Sequence, residues 1–119
     1  MDQIKEIKML NDLDDVAFTL NANARNKGFW DANTEEARTI FYLKQIAMIH
    51  SEASEVLEAI RKEKGDDLVV EELADIMIRV MDLYAGMATD GYTKASLQKS
   101  LQAKVEKNTQ RPRMHGVLA

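Results

Sequence analysis

Apolar residues recur along this chain at intervals of three and four, the spacing of one helix face. Leu10, Leu13, Val16, Ala17, Leu20 and Ala24 form the first stripe. It predicts a helix from about Ile4 or Lys8 to Asn26, stopped by Gly28. A second stripe, through Ile46, Ile49, Ala53, Val56, Leu57 and Ile60, predicts a helix that opens at Asn33-Thr34-Glu35-Glu36 and runs to about Glu63. Asn33 is the expected cap, with Glu36 three residues on completing a capping box. Leu73, Ile76, Met77, Val80, Leu83, Tyr84 and Met87 mark a third helix, opening at Asp67 or just after it and ending near Ala88. Thr93 is the expected N-cap of a fourth, whose narrower stripe of Leu97, Leu101 and Val105 ends near Asn108. The tail 109–119 holds Pro112 and Gly116 and is expected to be irregular. No run of β-branched residues alternates with polar ones, so the fold class is all-α.

Two acidic pairs interrupt this pattern at matched places. Glu52 and Glu55 lie three apart on the second helix, and Glu72 and Asp75 three apart on the third. Lys64-Gly65-Asp66-Asp67 forms the short break between those helices. At about 100° per residue, setting Glu52 at 0° puts Glu55 near 300° and the apolar stripe between about 40° and 140°. Setting Glu72 at 0° puts Asp75 near 300° and its stripe between about 20° and 140°. Each helix thus carries its acids on the same shoulder of an apolar face, and packing of the faces is expected to bring the shoulders together. Four converging carboxylates suit a hard cation such as Mg²⁺, with Mn²⁺ as a substitute. The alternative is that all four are solvated acids on outer helix faces.

Composition narrows the classes. A chain of 119 residues is long enough for one domain with its own core. Sixteen Lys+Arg against 20 Asp+Glu give a net charge of −4, which supplies no general attraction to nucleic acid. The absence of cysteine removes disulfides and thiolate metal sites and fits a cytoplasmic protein. Charges at Asp2, Lys5, Glu6 and Lys8 leave no signal peptide, and no apolar run approaches the ~18 residues of a membrane span.

Three further features have two readings each. Trp30, after Gly28-Phe29, is either a plug closing the bundle end or a platform for a nucleobase. Lys99, Lys104, Lys107, Arg111, Arg113 and His115 crowd the last quarter. They are either a solvated helix end or a phosphate clamp, to which Asn108 would add a directional hydrogen bond. His50 falls at the far margin of the apolar stripe, away from Glu52, and is expected to be packed or hydrogen-bonded rather than a metal ligand.

These segments together resemble the MazG-like all-α nucleoside triphosphate pyrophosphohydrolases, particularly small phage-type members. The likeness rests on His50-Ser51-Glu52-Ala53-Ser54-Glu55-Val56-Leu57-Glu58-Ala59, on Glu71-Glu72-Leu73-Ala74-Asp75-Ile76 and on Lys104-Val105-Glu106-Lys107-Asn108-Thr109-Gln110-Arg111-Pro112. Lys27-Gly28-Phe29-Trp30-Asp31 and Arg111-Pro112-Arg113-Met114-His115-Gly116 extend it. The family often reads E-E-x-x-E where this chain has Ser51 first, so no supporting carboxylate is expected there. The resemblance implies an oligomeric four-helix arrangement, as dimers or tetramers. It implies hydrolysis of a (deoxy)nucleoside triphosphate to the monophosphate and pyrophosphate. It also implies metal binding by Glu52, Glu55, Glu72 and Asp75, with Glu55 or Glu52 acting on the attacking water. Lys104, Lys107, Asn108 and Arg111 would hold phosphates or nucleotide, and Trp30 becomes a candidate for stacking.

Three other readings compete. A di-iron bundle wants Glu-x-x-His on two helices, and neither acidic pair has that histidine. A nucleic-acid binder acting through the basic tail conflicts with the acidic balance. A helical interaction module with no chemistry is the remaining alternative.

Overall fold

A computed structural model describes residues 12–112. It holds four helices and no strand among them: α1 Leu13–Asn26, α2 Glu35–Arg61, α3 Asp66–Thr89 and α4 Leu97–Thr109. The all-α expectation therefore holds. No helix among the described residues is long and apolar enough to cross a membrane. The part of the expected first helix before Asp12, and the tail residues Arg113 and His115, lie outside the described residues.

Local chemistry sets the helix boundaries, and in places differently from the expectation. Asp12 caps α1 through its side chain, which accepts from the Asp15 N–H. Thr34, not Asn33, caps α2 and accepts from the Ala37 N–H, so Glu36 completes no capping box. Ser96, not Thr93, caps α4 and accepts from the Lys99 N–H; Thr93 instead accepts from Ala95 inside the preceding loop. The hydroxyl that sits one residue before helical backbone is the one that can reach the free N–H groups, and sequence offers several hydroxyls or amides near each start. α3 opens one residue earlier than expected, at Asp66, behind Gly65.

Three helices end in one motif. After α1, α2 and α3 a residue with positive φ lets the next N–H fold back: Phe29 to Ala24 O, Lys64 to Ala59 O and Tyr92 to Met87 O. This pairing satisfies carbonyls that the helix leaves free. The residue with positive φ is Gly28 after α1 and Gly91 after α3, but Glu63 after α2, at φ 50°. A side chain there strains the backbone. Glu63→Gly should raise stability by about 0.5–1 kcal/mol, measured as a higher midpoint in urea; a lower midpoint would contradict this account of the turn.

α3 is the central element. α1 and α2 both pack on it, and α4 makes a smaller contact with α1. Ala17, Met81 and Ala85 form the buried centre of the α1–α3 contact, with Leu13, Val16, Leu20, Tyr84 and Leu97 around it. The start of α4 is tied to the start of α1. Gln98 accepts from the Leu13 N–H at 2.6 Å, and Asp14 accepts from the Gln98 N–H at 2.9 Å.

The α2–α3 contact overturns one expectation. The covered positions include 42, 45, 49, 52, 56 and 59 on α2, and 69, 72, 76, 79, 83 and 86 on α3. Both runs alternate steps of three and four, the spacing of a narrow coiled-coil seam. Glu52 and Glu72 therefore lie in the seam itself rather than on a shoulder outside it. The seam uses only one edge of each broad apolar stripe. Ile46, Leu57, Ile60, Leu73, Met77 and Val80 are left exposed on the other edge, Met77 at 57%.

Candidate functional site

Carboxylates in a helix seam need partners, because taking a charge out of water is costly. α2 and α3 run antiparallel, so residues whose numbers sum to about the same value face each other. Tyr42 meets Asp90, its hydroxyl donating to Oδ2 at 2.7 Å. Glu52 meets Arg79, whose Nε donates to Oε1 at 2.8 Å. Toward the α2–α3 turn, oxygens of Glu52, Glu55 and Glu72 all lie within 4.8 Å of one another. One turn of each helix and one ion pair thus place three carboxylates and one guanidinium together.

This cluster is short of positive charge. Glu55, exposed at its rim, is held above the usual carboxylate range. The chief cause is Glu52, by hydrogen bond and by like charge; desolvation and then Glu72 add to it. Oε2 of Glu72 is buried and has no hydrogen-bond partner. An orphaned buried carboxylate oxygen is rare in folded proteins, since leaving it unpaired carries the full desolvation cost. A hard divalent cation takes such oxygen donors and would neutralise the excess charge. The residues present therefore fit a metal of the Mg²⁺ type.

Only part of the expected constellation is brought together. Glu52, Glu55 and Glu72 converge. Asp75 is outside that group and exposed; it stands one turn before Arg79 on α3 and lines a cleft alongside Glu52. Three of the four expected carboxylates thus meet, and Asp75 stands at the adjoining wall. The reason is the seam, which turns Glu72 inward and leaves Asp75 on its solvent side. His50 is exposed rather than packed, and it is not in the cluster.

The basic residues lie elsewhere within the chain. Lys104, Lys107 and Asn108 are on exposed faces of α4, and Arg111 follows its end. None of the four lines the cleft. α4 leans on α1 rather than on the acidic seam, so within one chain these four residues stand apart from the carboxylates.

Trp30 takes the plug role. Its Nε1 donates to both Asp82 oxygens, at 3.0 and 3.2 Å. Phe41 meets the ring edge-on at 4.6 Å, and the Arg25 guanidinium lies 5.0 Å from its centroid. Gly86 on α3 sits directly against the indole. A stacked base would have to displace these neighbours.

A polar network behind Trp30 was not foreseen. Asn21, only 2% exposed, donates to Asp82 at 2.9 Å and accepts from Arg25 Nε at 2.7 Å. Arg25 reaches Asp90 at 3.1 Å, and Asp90 also accepts from Tyr42. Burial, and then the bond to Asp90, push the Tyr42 phenol up to about 12. The signal in the sequence was Asn21 itself, a polar residue between Ala17 and Ala24 on the apolar stripe of α1. The network joins α1, α2 and α3 just behind the cleft.

That cleft has a volume of about 720 Å³. Leu20, Phe29, Phe41, Met48 and Ile78 give it apolar walls, and Lys27, Lys44, Arg79, Glu52, Asp75 and Asp82 are charged groups along it. Its size is that of a small-molecule site, and one end of it is formed by Glu52 of the acidic cluster.

The family model of the MazG nucleotide pyrophosphohydrolase domain matches residues 42–115. The matched stretch includes both acidic pairs, all of α3 and α4, and the basic segment, while α1 and the Phe29-Trp30 loop precede it. No curated protein and no solved structure matches the chain. Because the match covers well over half of the 119 residues, including every carboxylate of the cluster, the chain belongs to the MazG nucleotide pyrophosphohydrolase domain family.

Proposed function

We propose that this chain hydrolyses a (deoxy)nucleoside triphosphate to the nucleoside monophosphate and pyrophosphate, with Mg²⁺ as cofactor and Mn²⁺ as a working substitute. The observation that carries the reading is the convergence of Glu52, Glu55 and Glu72, together with a buried oxygen of Glu72 that has no hydrogen-bond partner. A divalent cation held there supplies charge neutralisation for triphosphate oxygens and a lowered pKa for a water. Glu52 and Glu72, fixed in the seam, are the rigid ligands. Asp75, on the adjoining cleft wall, would add a further ligand oxygen. Glu55 is the residue for orienting or deprotonating the attacking water. It is exposed to incoming substrate at the rim of the cluster.

We infer a second copy of the chain as the route by which the basic residues of α4 reach the carboxylates. The exposed Leu57, Ile60, Leu73, Met77 and Val80 form apolar surface on α2 and α3 of the kind that marks an association face. A homodimer or homotetramer built on that face would bring Lys104, Lys107, Asn108 and Arg111 of one copy toward the carboxylates of another. Gel filtration with light scattering should give at least a dimer, and a monomer at micromolar concentration would remove this source of cations. A nucleotide substrate and the lack of cysteine fit a cytoplasmic location.

The reaction is tested with a panel of all ribo- and deoxyribonucleoside triphosphates and Mg²⁺, scoring monophosphate and pyrophosphate. Release of inorganic phosphate and a diphosphate instead would contradict the reaction. The metal is tested by melting curves. Glu55 binds its proton more tightly in the folded, metal-free chain than when unfolded. Its contribution therefore favours folding at acid pH and is lost as pH rises from the ordinary 4.5 through the raised value. A cation competes with that proton. Mg²⁺ should raise the melting temperature, and more so near about pH 7 than near about pH 5. An equal rise at both, or none, would count against binding at this cluster.

A further inference from the structure

We propose that the cleft beside the carboxylates receives the nucleoside of the substrate, and that Phe29 rather than Trp30 is the aromatic side chain on which its base stacks. This deepens the proposed reaction and rests on it for the identity of the ligand. The geometry points to it in three ways.

First, the neighbouring aromatics have different freedom. The Trp30 indole is tied to Asp82 and covered by Phe41, Arg25 and Gly86. Phe29 is 65% exposed and lines the cleft. Its ring has no aromatic partner among the described residues.

Second, Phe29 is held ready. Its N–H closes the cap of α1 on Ala24 O at 3.0 Å, a fold-back allowed by Gly28 at φ 83°. The next residue is the anchored Trp30. The backbone is thus fixed on both sides, and little freedom is lost when a base settles on the ring.

Third, the cleft has the polarity of a nucleotide. Glu52 and Asp75 supply carboxylates, Lys27 and Lys44 supply cations for phosphate oxygens, and Leu20, Met48 and Ile78 supply apolar wall. Asn23 and Gln45 also line it, each with an amide that offers both a donor and an acceptor to a base edge.

The test compares the wild-type full chain with Phe29→Ala and Phe29→Tyr. Turnover is measured with Mg²⁺ on whichever triphosphate the wild type hydrolyses fastest. Calorimetry measures binding of the ribo- and deoxyribonucleoside monophosphates, and inorganic tripolyphosphate serves as a competitor that has no base. Phe29→Ala should raise KM and weaken monophosphate binding by roughly tenfold. The loss should fall on KM rather than kcat, as for a contact made equally in ground and transition states. Tripolyphosphate inhibition and melting temperature should not change, and Phe29→Tyr should restore the affinity. Unchanged KM and monophosphate affinity in Phe29→Ala would overturn the proposal while leaving the proposed reaction standing. Equal weakening of tripolyphosphate would overturn it too, since the residue would then be acting on the phosphates. If the wild type binds monophosphates in a Phe29-dependent way but hydrolyses no triphosphate, the reaction falls and the base site survives. If it binds none, the base site falls.

Discussion

Glu52→Gln should abolish turnover, by about 100-fold or more, while leaving the helix content unchanged. Glutamine has the same shape and keeps an oxygen that can accept from Arg79, so the seam retains its contact at 2.8 Å. The negative charge is what disappears. The cluster then has two carboxylates against the same guanidinium, and its attraction for a divalent cation falls. Asp75→Asn should have a comparable effect on turnover with less effect on the seam, because Asp75 is exposed and outside it. Circular dichroism and steady-state rates on the same preparations check both. Normal rates from either variant would remove the carboxylate site from the mechanism.

Gly86→Ala should destabilise the fold by about 2 kcal/mol or more. In an exposed helix the same change would stabilise by about 1 kcal/mol, since glycine is the poorer helix former. Here a Cβ at position 86 would come within 2.1 Å of Trp30 Cη2 and 2.4 Å of Cζ2. The ring has no easy retreat: its Nε1 is bonded to Asp82 and its edge lies on Phe41. Overpacking of a fixed core side chain costs about 1–3 kcal/mol, and the bonds to Asp82 that a displaced indole gives up add to this. The clash therefore outweighs the propensity gain. Denaturant unfolding measures the loss. Gly86→Ala combined with Trp30→Leu should lose less than the sum of the two single changes, because the smaller side chain vacates the contested space. A stabilised Gly86→Ala would mean that Trp30 is not seated on α3.

Both predictions turn on the width of the apolar stripes. The wheel places Ile46, Leu57, Leu73 and Met77 beside the acidic pairs and invites the reading that those apolar residues make the α2–α3 contact. The contact instead runs through 45, 49, 52 and 56 on α2 and 72, 76 and 79 on α3, which leaves most of that stripe bare. A stripe wider than one helix contact has two edges, and angular arithmetic on a single helix does not say which edge the chain covers itself. The same ambiguity hid Arg79, an ordinary basic residue in the sequence that becomes the counter-ion of Glu52 once α2 and α3 face each other. Trp30 shows the limit from another side. The residue type permits stacking or plugging, and the choice falls to Gly86 and Asp82, more than 50 positions away.

The sequence by itself determined four helices, their approximate ends, the pairing of acids on α2 and α3, and the family that those motifs mark. These are local properties, carried by periodicity, helix propensity and short spacings. The tertiary structure decided which three carboxylates meet, that Arg79 joins them, that Trp30 is anchored while Phe29 is free, and that α4 lies apart from the acids within one chain. Those outcomes depend on which faces of neighbouring helices come into register, and register is a property of pairs of helices that no single segment encodes.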